Sequence, residues 1–300
     1  MAFCTFDEIE NYVVERGLAK KVALCGAQDK PALEAVVGAK KKGVISAVLI
    51  GAEEEIRAIL AELGENADEY EIINEPDENL SAKTAVKMVK EGKADIPMKG
   101  LMQSSSYLRA ILDKENGILP EGKILSECTV FEFPKQGRFM FAGDCAMNIT
   151  PGVAEKVEII KNSAELAHKF GIEKPKVACL SALEKVNPKM QSSVDAAELA
   201  AMDWHGECEV EGPFALDNAV DLEAAQHKGI AGGVAGRADV LLMASLDMGN
   251  VFHKAIHFFA NAKMASALCG TQHPVIFTSR TDSPEGKYNS ILLAVMQAIG

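Results

Sequence analysis

Long apolar runs are missing from the sequence. No window approaches the roughly 20 consecutive apolar residues that a membrane-spanning helix requires, although 48% of the residues are hydrophobic. The opening residues, MAFCTFD, contain neither a basic segment nor an apolar stretch, so we expect no secretory signal there. These absences predict a cytoplasmic protein that is not attached to a membrane.

Paired cysteines are missing too. The chain contains seven cysteines, an odd number, and no two of them lie close together in the sequence. This scatter matches neither a disulfide framework nor the close cysteine pairs of a structural zinc site. We therefore expect reduced thiols and no metal ion.

Positive charge is scarce. The sequence has 31 Lys and Arg residues against 43 Asp and Glu residues, which gives a formal net charge of −12. A nucleic-acid binder needs a dense basic surface, so we expect no nucleic-acid partner, and the surplus carboxylates fit solvated helix faces. Small anionic ligands remain compatible with this balance, because they need only a few local cations and backbone N–H groups.

Several common catalytic motifs are absent as well. The sequence has no G-x-x-x-x-G-K-[ST] phosphate loop and no G-x-S-x-G nucleophile elbow. The glycine-rich stretch Gly229–Gly236 precedes a predicted strand, whereas a dinucleotide-binding loop follows a strand and opens a helix. His253 and His257 lack a surrounding H-E-x-x-H pattern, so we predict that they are packed or surface histidines.

What is present is a regular alternation of strands and helices. Two short β-branched runs end in glycine and predict buried strands: Lys21–Gly26 and Val44–Gly51. Lys30–Lys42 has helical spacing and ends in lysines, which favour a helix C-terminus. A chain of 300 residues exceeds what one compact core usually organises. The alternation therefore predicts parallel sheets with helices on their faces, in two domains or one large domain.

The pattern changes near residues 117–143, where we place the passage into a second domain. Cys128–Phe133 and Arg138–Ala142 predict a strand pair, and the long helix that follows has Thr150 as its expected N-cap. Alternation then resumes. Near the end of the chain, the spacing predicts one long helix over Asn250–Cys269.

Polar side chains follow several predicted strands, and ligands of parallel α/β sheets bind beyond the carboxyl ends of strands. The strand ends carry Lys99-Gly100 followed by three serines and Arg109, then Asp144 and Asn148, then Asp247 and Asn250, and finally Thr278–Pro284. In the last segment, the rigid fork of Arg280 suits a phosphate. Two plainer explanations stay open: Asp282 or Ser283 can cap the helix that begins near Pro284, and Arg109 can be an exposed helix arginine.

Four ordered stretches resemble the phosphate acetyltransferase and phosphate butyryltransferase family. They are FAGDCAMNITP (Phe141–Pro151), KPKVACLS (Lys174–Ser181), ADVLLMASLDMGN (Ala238–Asn250) and HPVIFTSRTDS (His273–Ser283). The resemblance covers most of the chain and is strongest in the second half. PMKGLMQSSSYLRA, which replaces the histidine-containing loop typical of the acetyltransferases, and TSRTDS are more similar to the butyryltransferase branch.

This resemblance implies a fold, a reaction and partners. The fold would be α/β, with two α/β/α domains, mostly parallel sheets and an interdomain cleft, as in isocitrate and isopropylmalate dehydrogenases. The domains would comprise residues 1–142 plus 280–300 and residues 143–279, and the chain would form a homodimer or higher homo-oligomer. The reaction would convert butanoyl-CoA and phosphate reversibly to butanoyl phosphate and CoA in a ternary complex. Coenzyme A would be a substrate, with no cofactor bound.

The resemblance also implies roles for residues. Ser279 and Arg280 match the family's serine–arginine pair and would polarise the acyl carbonyl and bind phosphate. Arg109 would be a second phosphate ligand, and Ser104 and Ser105, in the serine-rich loop before it, would also bind substrate or phosphate. A further set matches motif positions and would line the cleft, with packing roles as an equal alternative: Asp144, Asn148, Asp247 and Asn250.

The catalytic base is the least defined role. By count, the family's catalytic aspartate falls near Gly286, which has no side chain. We expect Asp282 to be the base, ahead of the other nearby carboxylate, Glu285. The base would take the proton of the CoA thiol, because the thiolate is the nucleophile and a free thiol has a pKa of about 8.5.

Three other functions stay open at this point. A phosphate acetyltransferase would differ in pocket volume, and one or two methylenes change binding by only about 1–3 kcal/mol. A metal- and NAD-dependent decarboxylating dehydrogenase would need an aspartate cluster and a cofactor site, and neither is assembled in the sequence. A non-catalytic CoA-sensing protein is favoured only if the assignment of Asp282 fails.

Overall fold

The computed structural model describes residues 2–278 and 282–299. The chain divides into two compact units. Unit 1 comprises Met1–Thr5 and Ile124–Met264, and unit 2 comprises Phe6–Lys123 and Ala265–Gly300. Among the described residues, none of the helices has both the length and the apolar character needed to cross a lipid bilayer.

The strands follow the predicted alternation. They are β1 (Lys20–Cys25), β2 (Ile45–Gly51), β3 (Glu71–Asn74), β4 (Ile96–Lys99), β5 (Ser126–Phe133), β6 (Arg138–Gly143), β7 (Lys176–Leu180), β8 (Glu209–Phe214), β9 (Val240–Leu242) and β10 (Met264–Cys269). The strands predicted from the β-branched runs near residues 21 and 44 are confirmed as β1 and β2.

The helices lie between the strands. They are α1 (Phe6–Glu15), α2 (Lys30–Lys41), α3 (Glu53–Glu62), α4 (Glu78–Lys90), α5 (Ser104–Ile111), α6 (Val153–Lys169), α7 (Gln191–Ala200), α8 (Leu216–Val220), α9 (Leu222–His227), α10 (Leu246–Ala255) and α11 (Pro284–Ala298). The predicted helix over Lys30–Lys42 is confirmed as α2, which has Pro31 in its first turn and Lys40 and Lys41 in its last.

Unit 2 contains a parallel sheet with the strand order β3-β2-β1-β4. A parallel bridge between Met98 and Ile276 extends the hydrogen bonding beyond β4. The central strand β1 is buried over Val22–Cys25, as its continuous apolar run predicts for a strand covered on both faces. The carboxyl ends of β1 and β4 therefore lie side by side with the chain that follows Ile276.

Unit 1 contains a mixed sheet. Its strands follow the order β5-β6-β9-β7-β8, with β5 and β6 antiparallel and the other neighbours parallel. The predicted strand pair Cys128–Phe133 and Arg138–Ala142 is confirmed as β5 and β6. The coarse prediction of an α/β fold with mostly parallel sheets is therefore confirmed.

Two predictions about helix boundaries are wrong. The chain over residues 250–269 is not one helix: α10 ends at Ala255, the π-helical segment Ile256–Ala260 follows, and β10 begins at Met264. Asn261 takes a left-handed conformation with a φ of 50°, which ends the helical run.

The second error concerns the long helix α6. Its N-cap is Gly152 and not Thr150. The amide N–H of Gly152 donates to Glu155 Oε2 at 2.9 Å, so an acidic side chain in the first turn sets the start of the helix.

Candidate functional site

The serine–arginine pair predicted from the resemblance, Ser279 and Arg280, lies outside the described residues. The structure describes the residues on either side of it. Thr278 is buried, and Asp282 is half-buried just before α11. Ser283 is the N-cap of that helix, because its Oγ accepts from the amide of Gly286 at 3.1 Å. Of the two residues proposed as caps, Ser283 therefore performs that role.

The serines and arginine after β4 lie on one helix. Ser104 and Ser105 are exposed in the first turn of α5, and Arg109 is exposed one turn after Ser105. The guanidinium of Arg109 donates to Asn79 Oδ1 at 3.3 Å. The start of α5 is fixed by Glu78, which accepts from the amide of Gln103 at 3.0 Å. The structure thus places these predicted phosphate ligands on one exposed surface beyond the carboxyl end of β4.

Two glycines allow the strand ends of unit 2 to approach closely. A Cβ atom added to Gly100 would collide with the carbonyl oxygen of Gly26, and one added to Gly26 would lie 2.7 Å from the carbonyl oxygen of Leu101. Gly26 also has a positive φ of 63°, which favours glycine. Its amide donates to Ser81 Oγ at 3.0 Å. The backbone at this edge is therefore tightly fixed.

A buried lysine, Lys99, ends β4 at this edge, and no role for it was predicted from the sequence. Its residue is 3% exposed. Its amide donates to the carbonyl oxygen of Ile276 at 3.1 Å. Its Nζ lies 3.4 Å from the carbonyl oxygen of Gly100 and 6.0 Å from the ring centroid of Phe277.

A second buried lysine, Lys287, reaches the same edge from the first turns of α11. It is 2% exposed, and its Nζ lies 3.4 Å from Thr278 Oγ1. Burial lowers the pKa of Lys287, while Asp282 and Asp29 act in the opposite direction. The apolar run SILLAVM in α11 is typical of a buried helix, but it begins three residues after Lys287 and does not indicate that the lysine itself is buried.

In unit 1, the predicted residue Asp144 holds its own loop together. It is 2% exposed, and its carboxylate accepts from the backbone amides of Ala146, Met147 and Asn148 at 2.8–2.9 Å. The side chain of Asn148 donates to the carbonyl oxygen of Leu125 at 3.0 Å. These bonds fix the turn that follows β6.

The same loop packs against the start of α10. Gly249 leaves no room for a side chain, because an added Cβ atom would collide with the carbonyl oxygen of Asp144. The amide of Leu246 donates to the carbonyl oxygen of Ile149 at 3.0 Å. Asp247 and Asn250 are exposed on this helix. The structure therefore brings the loop after β6 and the helix after β9 together at one edge of the sheet of unit 1.

Within the described residues, no group of three or more His, Cys, Asp and Glu side chains is placed to hold a metal ion. The two strand-end regions offer other chemistry: carboxylate and amide side chains in unit 1, and hydroxyl, guanidinium and ammonium groups in unit 2. Groups of the second kind suit an anionic ligand.

Comparisons with known proteins agree with this chemistry. The family model described as phosphate acetyl/butaryl transferase matches residues 78–295. A phosphate butyryltransferase of Clostridium acetobutylicum is 46% identical over 297 residues, with 98% of each chain covered. A phosphate acetyltransferase of Thermotoga maritima is 40% identical, with 94% of this chain and 97% of the relative covered. Among solved structures, a branched-chain phosphotransacylase from Enterococcus faecalis V583 has a TM-score of 0.85 at 34% identity, with 93% of this chain and 99% of that chain covered.

Proposed function

We propose that this chain, which belongs to the phosphate acetyltransferase and phosphate butyryltransferase family, transfers a butanoyl group reversibly between coenzyme A and inorganic phosphate. As a member of this family it is a phosphotransacylase. The observation that carries the butanoyl assignment is the similarity to a phosphate butyryltransferase over almost the whole of both chains.

The reaction needs a base, cations and an oxyanion donor. In the direction that consumes butanoyl phosphate, the base takes the proton of the CoA thiol, and the thiolate attacks the acyl carbonyl. The tetrahedral intermediate then expels phosphate. In the opposite direction, phosphate attacks the thioester and the protonated base returns the proton to the leaving thiolate. We assign Asp282 as the base, because it is the half-buried carboxylate nearest the start of α11.

The remaining roles are assigned by chemistry. Ser279 and Arg280 polarise the carbonyl and hold phosphoryl oxygens, and one such donor contributes roughly 3 kcal/mol to a transition state. Arg109 is the second phosphate ligand, with Ser104 and Ser105 beside it in the first turn of α5. The unit 1 residues that we propose as lining the substrate site are Asp144, Asn148, Asp247 and Asn250. Of these, Asp144 would act by shaping its loop, since its carboxylate accepts several backbone amides.

We also propose how the chain is arranged. It would form two domains, residues 1–142 plus 280–300 and residues 143–279, with a cleft of the isocitrate dehydrogenase type. The protein would be a homodimer or higher homo-oligomer in the cytoplasm and would act on acyl-CoA and phosphate with no bound cofactor.

Thiol release tests the function. Butanoyl-CoA and acetyl-CoA are each incubated with the protein, with and without phosphate, in a buffer that contains a chelator. We expect phosphate-dependent release that is faster with butanoyl-CoA. Faster release from acetyl-CoA would establish the second candidate, a phosphate acetyltransferase, which the relative from Thermotoga maritima supports. No phosphate-dependent release from either thioester would overturn both, and an absorbance change with NAD and a divalent metal would then indicate a dehydrogenase.

The assignment of Arg280 has its own test. Arg280→Ala should reduce kcat by about 10²–10³, the loss typical of removing one transition-state donor, and leave the thermal unfolding curve unchanged. Arg237→Ala, which removes an exposed arginine of unit 1, is the matched control and should keep normal turnover. Near-normal phosphate-dependent turnover in Arg280→Ala would remove this residue from the mechanism.

A further inference from the structure

A solvent-open cavity of about 280 Å³ lies at the amino edge of the sheet in unit 1, and we call it the amino-edge cavity. Its charged lining residues begin or precede three parallel strands. They are Arg138 of β6, Lys176 of β7, and Arg237 and Asp239 just before β9. Positive side chains therefore outnumber carboxylates here, although the formal net charge of the chain is −12.

The amino-edge cavity is separate from the unit 1 residues that we propose as lining the substrate site. β6 begins with Arg138 at this cavity and ends at Gly143, after which Asp144 follows at the opposite edge of the sheet. A strand rises about 3.3 Å per residue, so Arg138 and Asp144 lie roughly 20 Å apart. A ligand in the amino-edge cavity would therefore occupy a second site.

Arg138 and Asp239 form the ordered part of the cavity lining. The guanidinium of Arg138 donates to Asp239 Oδ1 at 2.7 Å and to Gln136 Oε1 at 2.8 Å. The other carboxylate oxygen of Asp239, Oδ2, accepts from the backbone amide of Lys176 at 2.9 Å. Both oxygens of Asp239 thus have a donor, and its charge is paired with that of Arg138.

Two positive groups of the lining remain, the ammonium group of Lys176 and the guanidinium group of Arg237. Within residues 2–278 and 282–299, neither of these side chains forms a hydrogen bond or an ion pair. Lys176 is half-buried and acts electrostatically on Asp239, and Arg237 is exposed. The hydrogen-bond donors of both groups are therefore available to a ligand.

The nearest carboxylates outside the lining have other neighbours. Asp221 forms an ion pair with Lys135. Glu209 is the register partner of Lys176 in β8, but its carboxylate lies against Gly233, where an added Cβ atom would be 1.8 Å from Oε1. These carboxylates reduce the positive potential of the cavity only from a distance, so the cavity should attract an anion.

We propose that the amino-edge cavity binds a diphosphate group, with Arg237 and Lys176 each holding one phosphoryl group and Arg138 adding its charge beside them. The fork of a guanidinium group suits phosphoryl oxygens, and an ammonium group binds them as a point charge. The cavity volume is near the lower end of the range for small-molecule sites, about 300 Å³. This inference goes beyond the proposed function and does not depend on it.

The first test uses the unchanged chain. The protein is treated with acetic anhydride in chloride or in inorganic diphosphate at equal ionic strength, and acetylation of each lysine is measured by mass spectrometry. Diphosphate well above its Kd should slow acetylation of Lys176 about tenfold or more, because only the free site reacts. Lys174, an exposed lysine nearby, should react equally in both buffers. Equal slowing of the two lysines, or no slowing of Lys176, would overturn the proposal.

The second test removes one of the two cations. In Arg237→Ala, the diphosphate concentration that half-protects Lys176 should rise about tenfold or more, because one of two charges on the ligand is lost. The matched control is Lys161→Met, which removes a positive charge of unit 1 at a side chain that is 45% exposed. This control should keep the wild-type value within about twofold. Unchanged protection in Arg237→Ala would overturn the site.

Two further ligands define what the site recognises. Orthophosphate has a single phosphoryl group, so it should protect Lys176 far more weakly than diphosphate, and equal protection would overturn the assignment of a diphosphate group. ADP distinguishes the sources of that group. Stronger protection by ADP than by inorganic diphosphate would assign the site to nucleoside diphosphates, and weaker protection would assign it to the free anion. CoA release is not part of these measurements, so a failure of the proposed function would be recognised separately.

Discussion

Buried charged side chains near the strand ends have different partners in the two units. In unit 1, Lys156 is 4% exposed and forms an ion pair with Asp195, which is equally buried, while Asp144 accepts several backbone amides of its own loop. In unit 2, the buried lysines Lys99 and Lys287 have uncharged oxygens among their contacts, each at 3.4 Å. Both regions bury charge, and their immediate partners differ.

The partners of a buried charge decide how its removal affects the protein. A buried charge matched by a carboxylate or by several amides is satisfied within the fold, so its removal mainly affects stability. The buried lysines of unit 2 have a hydroxyl and a carbonyl oxygen among their contacts, and such contacts by themselves offset less of the cost of burying a charge than a carboxylate does. Unit 1 therefore holds its buried charges in an ion pair and in a hydrogen-bonded loop, whereas hydroxyl and carbonyl oxygens are among the contacts of the buried lysines in unit 2.

The largest effect should come from breaking the ion pair of unit 1. Lys156→Met leaves Asp195 buried without its partner and should lower the free energy of unfolding by about 3–5 kcal/mol. The chain has one tryptophan, Trp204, and it lies in unit 1, so its fluorescence during denaturation reports this unit.

Two further variants sharpen that measurement. Lys156→Met combined with Asp195→Leu should recover most of the loss, because an apolar pair replaces an ion pair at little cost. Lys161→Met, at a side chain that is 45% exposed, should change stability by less than about 0.5 kcal/mol. A loss below about 1 kcal/mol in Lys156→Met would show that the pair does not hold this region together.

The next largest effect should follow from Asp144→Ala, which removes the acceptor of the loop after β6. We expect a loss of about 2–3 kcal/mol in unit 1, because hydrogen bonds to a charged acceptor are among the stronger ones. Asp144→Asn keeps one acceptor oxygen and should lose less. If Asp144→Ala instead abolished turnover with stability unchanged, Asp144 would contact substrate, and the contrast between the two units would fail at this residue.

Much of the fold could be predicted from the sequence, because its strands are short, apolar and closed by glycine. The runs at β1 and β2 and the lysines that end α2 each carry a local signal. The sequence of β10 carries no such local signal, because MASALC fits a helix as well as a strand. The left-handed residue Asn261, which lies between α10 and β10, has no distinctive neighbours in the sequence. The ambiguity of short apolar runs explains that error.

That polar side chains follow the strand ends could be predicted from the sequence, as at Asp144 and Arg109, and their roles in the site stay predictions. The burial of Lys287 could not be predicted. A helical lysine next to Gly286 usually points to solvent, and only the packing of α11 places its ammonium group beside Thr278. Which partner a buried charge meets is a property of tertiary structure, so sequence patterns do not give it.

Intermediate effects on stability should come from adding a methyl group where two backbone segments approach closely at the strand ends of each unit. Gly249→Ala in unit 1 and Gly100→Ala in unit 2 each place a methyl group against a backbone carbonyl oxygen, which does not move easily. We expect each to lower the free energy of unfolding by about 1–2 kcal/mol, as overpacking does. Gly38→Ala is the control: it lies within α2, has no atoms within 4 Å of an added Cβ, and should raise stability slightly. Equal behaviour of all three variants would contradict the tight packing at the strand ends.

The smallest effect, and the sharpest contrast with Lys156, concerns the pH dependence of Lys287→Met. Burial lowers the pKa of Lys287 in the folded state below its ordinary value of 10.5. Between the lowered pKa and 10.5, the unfolded chain binds more protons than the folded one, so this lysine makes the wild type more stable as the pH rises. Below the folded-state pKa the charged group is buried at a cost, and the Met variant avoids that cost. Lys287→Met should therefore have the higher Tm near pH 7, with a difference that shrinks as the pH approaches 10.5. A Met variant that is less stable than the wild type at every pH would mean that the ammonium group of Lys287 is stabilised within the fold, as that of Lys156 is by Asp195.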